Sequence, residues 1–215
     1  MKETYTLLDM QSWPRKQHFE FYKTFAQPFF QIGCDLNAKI LFHYCKEKNL
    51  PFFDAYLFLT MKTINQLEPF CCRVVDDQVR IYQNVMISVA VMAPDQTFRF
   101  CDIPYADDFA QFCANFKAAK DKAISEPFFS ETFAANQANK GTVYMSVIPW
   151  VSFTSFNHAS HSNDPTGIPR IVFGKMRKTD YSMPFAIDAH HAVVDGLHVG
   201  QFIEVLQGYF DKPEL

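Results

Sequence analysis

Apolar positions recur along the chain with two periods, and the period changes several times. At residues 37–48 (NAKILFHYCKEK), 53–67 (FDAYLFLTMKTINQL) and 106–123 (ADDFAQFCANFKAAKDKA) they return every three or four positions, the spacing of an amphipathic helix. From Gly196 to Phe210 the residues Val199, Phe202, Ile203, Leu206 and Phe210 mark one more helical face. Between 71 and 100 the pattern shortens to strand-like runs, CCRVV, VRIYQNVMISVAVM and TFRF, with Asp76-Asp77 as a hairpin turn between the first two. Within such a strand the adjacent Cys71 and Cys72 point to opposite faces. Residues 142–148, 150–156, 169–176 and 182–191 read as further strands. Helices and strands do not alternate as in a parallel doubly wound sheet. The order predicts an α+β fold, a two-layer mixed β-sheet with helices packed on one face, in a single domain over residues 1–215.

Composition narrows the classes. A net charge of −3 with no long run of one sign lacks the clustered Lys and Arg of a nucleic-acid footprint. The 24 phenylalanines point to an aromatic core, or to some rings lining an apolar ligand pocket. With seven glycines and neither G-x-G-x-x-G nor G-x-x-x-x-G-K-[ST], a glycine-rich phosphate loop is excluded. The six cysteines show no Cys-x-x-Cys spacing. The N-terminus is polar, and no apolar run approaches the ~20 residues of a membrane helix. The expectation is a cytoplasmic protein with no membrane or nucleic-acid partner, its thiols reduced and buried.

Candidate chemistry concentrates in His190-His191-Ala192-Val193-Val194-Asp195-Gly196-Leu197-His198. A neutral imidazole is suited to accept a proton near neutral pH. Strand parity puts His191 with Phe185, Ile187 and Ala189, and His190 on the other face, so one histidine alone serves a given site. Apolar neighbours on that face would partly desolvate His191 and keep it neutral. Asp195 stands at the turn into the last helix. The residues alone leave other readings open: a structural histidine followed by an N-cap aspartate, or a metal site of His191, Asp195 and His198.

The stretch HHAVVDGLHVG resembles the C-terminal active-site motif of chloramphenicol acetyltransferases, HHAVCDGFHVG, and more distantly the His-x-x-x-Asp-Gly motif of dihydrolipoyl acyltransferase cores. WPRKQHFEFY, residues 13–22, is similar to the first family's W-x-R-x-x-H-F-E-x-[FY] signature. MSVIPWVSFTSF, residues 145–156, is similar to its S-x-x-P-W-[VI]-x-F-x-S-F segment. The three motifs fall in the family's order, and the similarity runs from about residue 5 to 210.

This resemblance implies a homotrimer with active sites between subunits, a small hydroxylated acceptor of the chloramphenicol type, acetyl-CoA as co-substrate and no metal. It makes His191 the general base, Ser146 the oxyanion donor, and Asp195 with Arg15 the pair that holds the turn. It aligns Lys175 with a lysine near the CoA phosphates, and Tyr22, Phe98 and Phe133 with aromatics that contact the acceptor. Parity in TVYMSVI places Ser146 on one strand face with Tyr144 and Ile148. Several positions depart from the family. Val194 and Leu197 keep apolar character in the motif. Tyr144 stands where some members have Asn, His158 where an apolar residue contacts the drug, and Val172 where some members have Thr. Pro28 takes the place of a pocket cysteine. The catalytic set thus matches while the acceptor pocket is altered. The alternatives are the same chemistry on another hydroxylated acceptor, or a non-catalytic trimer that binds CoA or an apolar ligand.

Overall fold

The last helix shows how pattern becomes structure. In the computed structural model, which describes residues 4–159, 164 and 166–215, α7 spans Gly196–Asp211. Its Val199, Phe202, Leu206 and Phe210 are completely buried, as their three- and four-residue spacing predicts. The other helices are α1 (Lys16–Tyr22), α2 (Lys39–Glu47), α3 (Phe52–Gln66), α4 (Glu68–Cys71), α5 (Phe109–Ser125) and α6 (Glu131–Ala138). Asp108 caps α5 by accepting from the Gln111 N–H at 2.8 Å.

The strands form two sheets. β1 (Tyr5–Leu7), β4 (Gln78–Tyr82) and β3 (Cys72–Val75) make a small antiparallel sheet. The larger one has the order β2 (Phe29–Asn37), β9 (Ser182–His190), β8 (Arg170–Gly174), β7 (Thr142–Ile148), β5 (Met86–Met92), β6 (Phe98–Ile103). It is mixed: β5–β7 and β7–β8 are parallel, the remaining pairs antiparallel. One face packs on helices. Phe173 of β8 meets Tyr56 of α3, with ring centroids 4.9 Å apart, and Phe185 of β9 stacks on Phe202 of α7 at 6.1 Å. The architecture is the α+β layered arrangement that the element order predicts.

Three expectations need correction. The run VRIYQNVMISVAVM is two strands, because Asn84 takes a left-handed turn (φ 52°) and the chain passes from one sheet to the other. Asn65 fixes that crossing: its side chain donates to the Val85 carbonyl at 2.9 Å and accepts from the Val85 N–H at 2.7 Å. Residues 150–156 are not a strand. β8 already has β7 and β9 on its two edges, so this segment has no free ladder to join. It lies across the end of β8 instead, where the Lys175 N–H donates to the Val151 carbonyl at 2.8 Å. Cys71 and Cys72 do not share a strand: one ends α4 and the other begins β3, both buried. The Asp76-Asp77 turn is as expected, with φ of 52° and 59°, the left-handed pair that a tight two-residue hairpin requires.

Fully buried Arg73 ties β3 to the start of β7. Its guanidinium donates to the carbonyls of Lys140 (2.9 Å), Phe70 (2.8 Å), Cys72 (2.7 Å) and Thr142 (2.7 Å). Burial pushes its pKa down to about 10. All six cysteines are unpaired. Burial raises the thiol pKa values of Cys72 and Cys101 to about 12. No helix among the described residues is long and apolar enough to cross a membrane.

Candidate active site

β9 ends at His190, and the next residue turns away from the sheet. The His191 N–H donates to the Pro28 carbonyl at 2.9 Å, so the turn is pinned to the segment before β2. The His191 ring lies flat on Tyr22 of α1, with centroids 4.1 Å apart and planes 6° from parallel. Phe30 closes a second side at 4.5 Å. Nδ1 of His191 is buried without a hydrogen-bond partner among the described residues. The adjacent His190 points the other way. It is 2% exposed, edge-on to Phe29, and its Nδ1 accepts from the Ala192 N–H at 3.2 Å. Burial pushes its pKa down to about 4. The two histidines do serve different regions, but the turn after β9 separates them rather than strand parity: one ring is held at an aromatic clamp and the other is committed to the interior.

Asp195 does two jobs. It caps α7, accepting from the N–H groups of Leu197 (3.1 Å) and His198 (3.4 Å), and it forms an ion pair with Arg15. Arg15 also donates to the His191 carbonyl at 3.2 Å, so one guanidinium joins the histidine turn to the helix start. Burial works to raise the Asp195 pKa. Arg15, His198 and the two backbone donors outweigh it and hold the carboxyl below its ordinary value. The N-cap reading and the Arg15 pairing are thus both present. His198 completes a capping box, with Nδ1 accepting from the Asp195 N–H at 3.1 Å. The metal alternative of His191, Asp195 and His198 does not assemble, and no metal-holding cluster of His, Cys, Asp and Glu occurs among the described residues.

Ser146 lies elsewhere. In the register it is opposite Val172, and Val172 is opposite Ala186, so these three share one face of the sheet. It is the face away from α3 and α7. From Ala186 to His191 the chain runs five residues further. Two strand spacings across and that length along put the Ser146 and His191 Cα atoms roughly 20 Å apart. One chain does not bring Ser146 and His191 together.

The remaining candidates are spread over several regions. Tyr22 joins His191. Tyr144 and Val172 lie on the Ser146 face, with the Tyr144 hydroxyl 3.5 Å from Gln137 Oε1. Phe133 of α6 packs with Phe100 (5.9 Å) and Phe128 (5.3 Å) beside a cavity of about 200 Å³. Phe98 meets Phe128 edge-on at 5.5 Å and is half exposed. Lys175 stands exposed just beyond β8. His158, named from the sequence, belongs to a further group with Asp188 and Gln31, two partners that sequence reasoning missed. Its Nδ1 is 2.9 Å from the Asp188 carboxylate, and Asp188 also accepts from Gln31 at 2.5 Å. The available signal was Asp188 itself, an acidic residue inside the apolar run MPFAIDA.

Known proteins resemble this chain over most of its length. The model of the family described as chloramphenicol acetyltransferase matches residues 3–207. The chain is 30% identical over 215 residues to a chloramphenicol acetyltransferase of Klebsiella sp, covering 97% of this chain and 94% of that protein. It is 26% identical over 206 residues to chloramphenicol acetyltransferase 3 of Escherichia coli, covering 94% and 95%. A solved chloramphenicol acetyltransferase superposes with a TM-score of 0.83 at 22% identity, over 96% of this chain and all of that one. A probable dihydrolipoamide acetyltransferase from Listeria monocytogenes 4b F2365 gives 0.67 at 18% identity, over 91% and 89%. The motifs around His191, Ser146 and Arg15, the layered fold and the full-length family match lead to one conclusion: this chain belongs to the chloramphenicol acetyltransferase family.

Proposed function

We propose that the protein is an acetyl-CoA-dependent O-acetyltransferase that acetylates a hydroxyl of a chloramphenicol-type acceptor in a metal-free ternary complex. His191 is the general base. Its ring is clamped by Tyr22 and Phe30 and its Nδ1 is buried, so Nε2 is the nitrogen assigned to the substrate. Nε2 takes the proton as the acceptor oxygen attacks the thioester carbonyl, and returns it to the departing thiolate as the C–S bond breaks. No acyl-enzyme forms, so much of the rate comes from holding both substrates in line. Ser146 donates to the oxyanion that develops on the carbonyl. Arg15 and Asp195 are positioning residues that hold the His191 turn. Lys175, exposed at the end of β8, suits the anionic phosphates of CoA.

The observation that carries this reading is the Arg15 fork, which grips both Asp195 and the His191 carbonyl and so fixes a clamped imidazole. The separation of His191 from Ser146 supports a homotrimer with sites between subunits, one copy supplying the base and its neighbour the Ser146 face. The test is release of free CoA thiol from acetyl-CoA with chloramphenicol. The expected result is turnover that His191→Ala reduces by about 10²–10⁴. Undiminished turnover in that variant removes His191 from the mechanism.

A further inference from the structure

Beyond β7 the chain turns back over the sheet and is tied down there. The Lys175 N–H donates to the Val151 carbonyl at 2.8 Å. Phe153 lies on Gly174: a Cβ at that position would stand 2.9 Å from the ring and 2.9 Å from Pro184 Cβ, so glycine alone admits the contact. Gly174 is opposite Ile148 and two residues beyond Val172, so Phe153 covers the face that holds Ser146. Arg177 adds a further tie. Its Nη1 donates to Ser152 Oγ at 2.9 Å and its Nη2 to the Asp35 carboxylate of β2 at 2.5 Å, while its Nε lies 3.7 Å from Asp180.

The Arg177 main chain is fixed as well. Its N–H donates to the Ser182 carbonyl and its carbonyl accepts from the Tyr181 N–H, both at 2.8 Å, which closes the turn between β8 and β9. One guanidinium thus joins the segment after β7, the strand β2 and this turn. Lys175 stands exposed in the same connection, two residues before Arg177. The ladder between β7 and β8 ends at Ile148 and Gly174. Past that point the placement of Lys175 depends on Val151, and so on the segment that Arg177 grips. The side chains of Arg177, Asp35 and Asp180 are 35%, 48% and 57% exposed, and ion pairs so exposed add little to stability. What they fix is a geometry.

We propose that Arg177 is a positioning residue for acetyl-CoA: it holds the 150–156 segment against the turn between β8 and β9, and so sets the reach from Lys175 to Ser146. The proposal rests on the acetyl-transfer reading above, in which Lys175 meets the CoA phosphates and Ser146 the thioester carbonyl. Both grips are made at once only when their spacing matches the CoA chain. Arg177 is not itself the phosphate ligand. Its guanidinium faces two carboxylates and a hydroxyl, a group that is negative in sum and offers a phosphate no attraction of its own. The phosphates are remote from the reacting carbonyl, so a contact to them is equally strong before and during transfer, and its loss raises KM without lowering kcat.

The test measures KM for acetyl-CoA by thiol release, and Kd for CoA by calorimetry, in wild type, Lys175→Met, Arg177→Met and the double variant. Each single variant is expected to weaken both constants by about 10-fold, with kcat within about 3-fold of wild type. The double variant should be little weaker than Lys175→Met alone, because Arg177 acts through Lys175. Ser152→Ala, which removes one bond of the fork, should shift both constants the same way by about 2–3-fold. The melting temperature of Arg177→Met should fall by less than about 4 °C. S-acetylpantetheine lacks the phosphates, and its kcat/KM should change by less than about 3-fold in Arg177→Met. A double variant in which the two losses multiply to about 100-fold overturns the proposal, since Arg177 then acts by itself. An equal loss with S-acetylpantetheine overturns it in favour of a general structural role. CoA affinity unchanged in Lys175→Met overturns it together with the phosphate role of Lys175. Coupled losses in CoA affinity, with no thiol released by the wild type from any acceptor, uphold the positioning role and overturn acetyl transfer.

Discussion

Arg15→Met removes the guanidinium that joins the His191 turn to the start of α7, while keeping an unbranched side chain of similar reach. Two contacts go with it. The ion pair to Asp195 is partly shielded, its side chains 15% and 30% exposed, and at that exposure is worth about 1 kcal/mol. The charge-assisted bond to the His191 carbonyl, 3.2 Å long, contributes about 1.5 kcal/mol. Together the loss is about 2–3 kcal/mol, or about 5–10 °C in melting temperature for a chain of this size. Asp195 keeps its cap on α7, so the helix remains and the change falls on the histidine turn. A small displacement of the base lowers kcat by about 10–100-fold with a lesser change in KM. Arg15→Lys keeps the charge but not the fork and falls between the two. The pH dependence has a definite sign. The Asp195 carboxyl is held below its ordinary 3.8, so the pair stabilises fully above about pH 4 and its contribution fades as pH falls through the lowered value. The melting-temperature gap between wild type and Arg15→Met should therefore narrow below pH 4. Thermal unfolding across pH and steady-state kinetics at pH 7 check both parts. Wild-type stability and kcat in Arg15→Met, or a gap that does not narrow in acid, would refute the bridging role.

Arg73→Met removes the guanidinium donor from four carbonyls, three of them in buried contacts; urea unfolding should show a loss of at least ~3 kcal/mol, and a loss under ~1 kcal/mol contradicts the anchoring role. His190 is held neutral by burial, so between pH 6.5 and about 4 the unfolded chain binds a proton that the folded chain refuses. Stability should fall by up to about 3 kcal/mol over that window, and less in His190→Gln; urea titrations at pH 7, 5.5 and 4.5 read the difference, and identical slopes contradict it.

The helices were legible wherever an apolar face was long enough to repeat, as in Phe52–Gln66 and Gly196–Asp211. β2 was not, because FFQIGCDLN opens on two phenylalanines and then carries a glycine, which blurs the alternation of a half-buried strand. α1 is only two turns long. His191, Asp195 and Arg15 were readable because each sits in a compact local motif. Ser146 was readable as a residue, but its distance from His191 was not, since that depends on the pairing of β7, β8 and β9. The meeting of Gln31 and His158 at Asp188 was illegible for the same reason: the three are dispersed through the sequence, and only the fold brings them together.

The most direct measurement mixes two inactive variants. His191→Ala retains Ser146, and Ser146→Ala, expected to lose about 10²–10³ in kcat, retains His191. Neither chain alone carries a complete set. If the two groups meet only between subunits, co-refolded mixed trimers contain sites with His191 from one chain and Ser146 from its neighbour. Random assortment of equal amounts then restores about a quarter of wild-type thiol release. Mixed trimers, verified by differential tagging, that show no activity above the two parents would contradict an active site shared between copies.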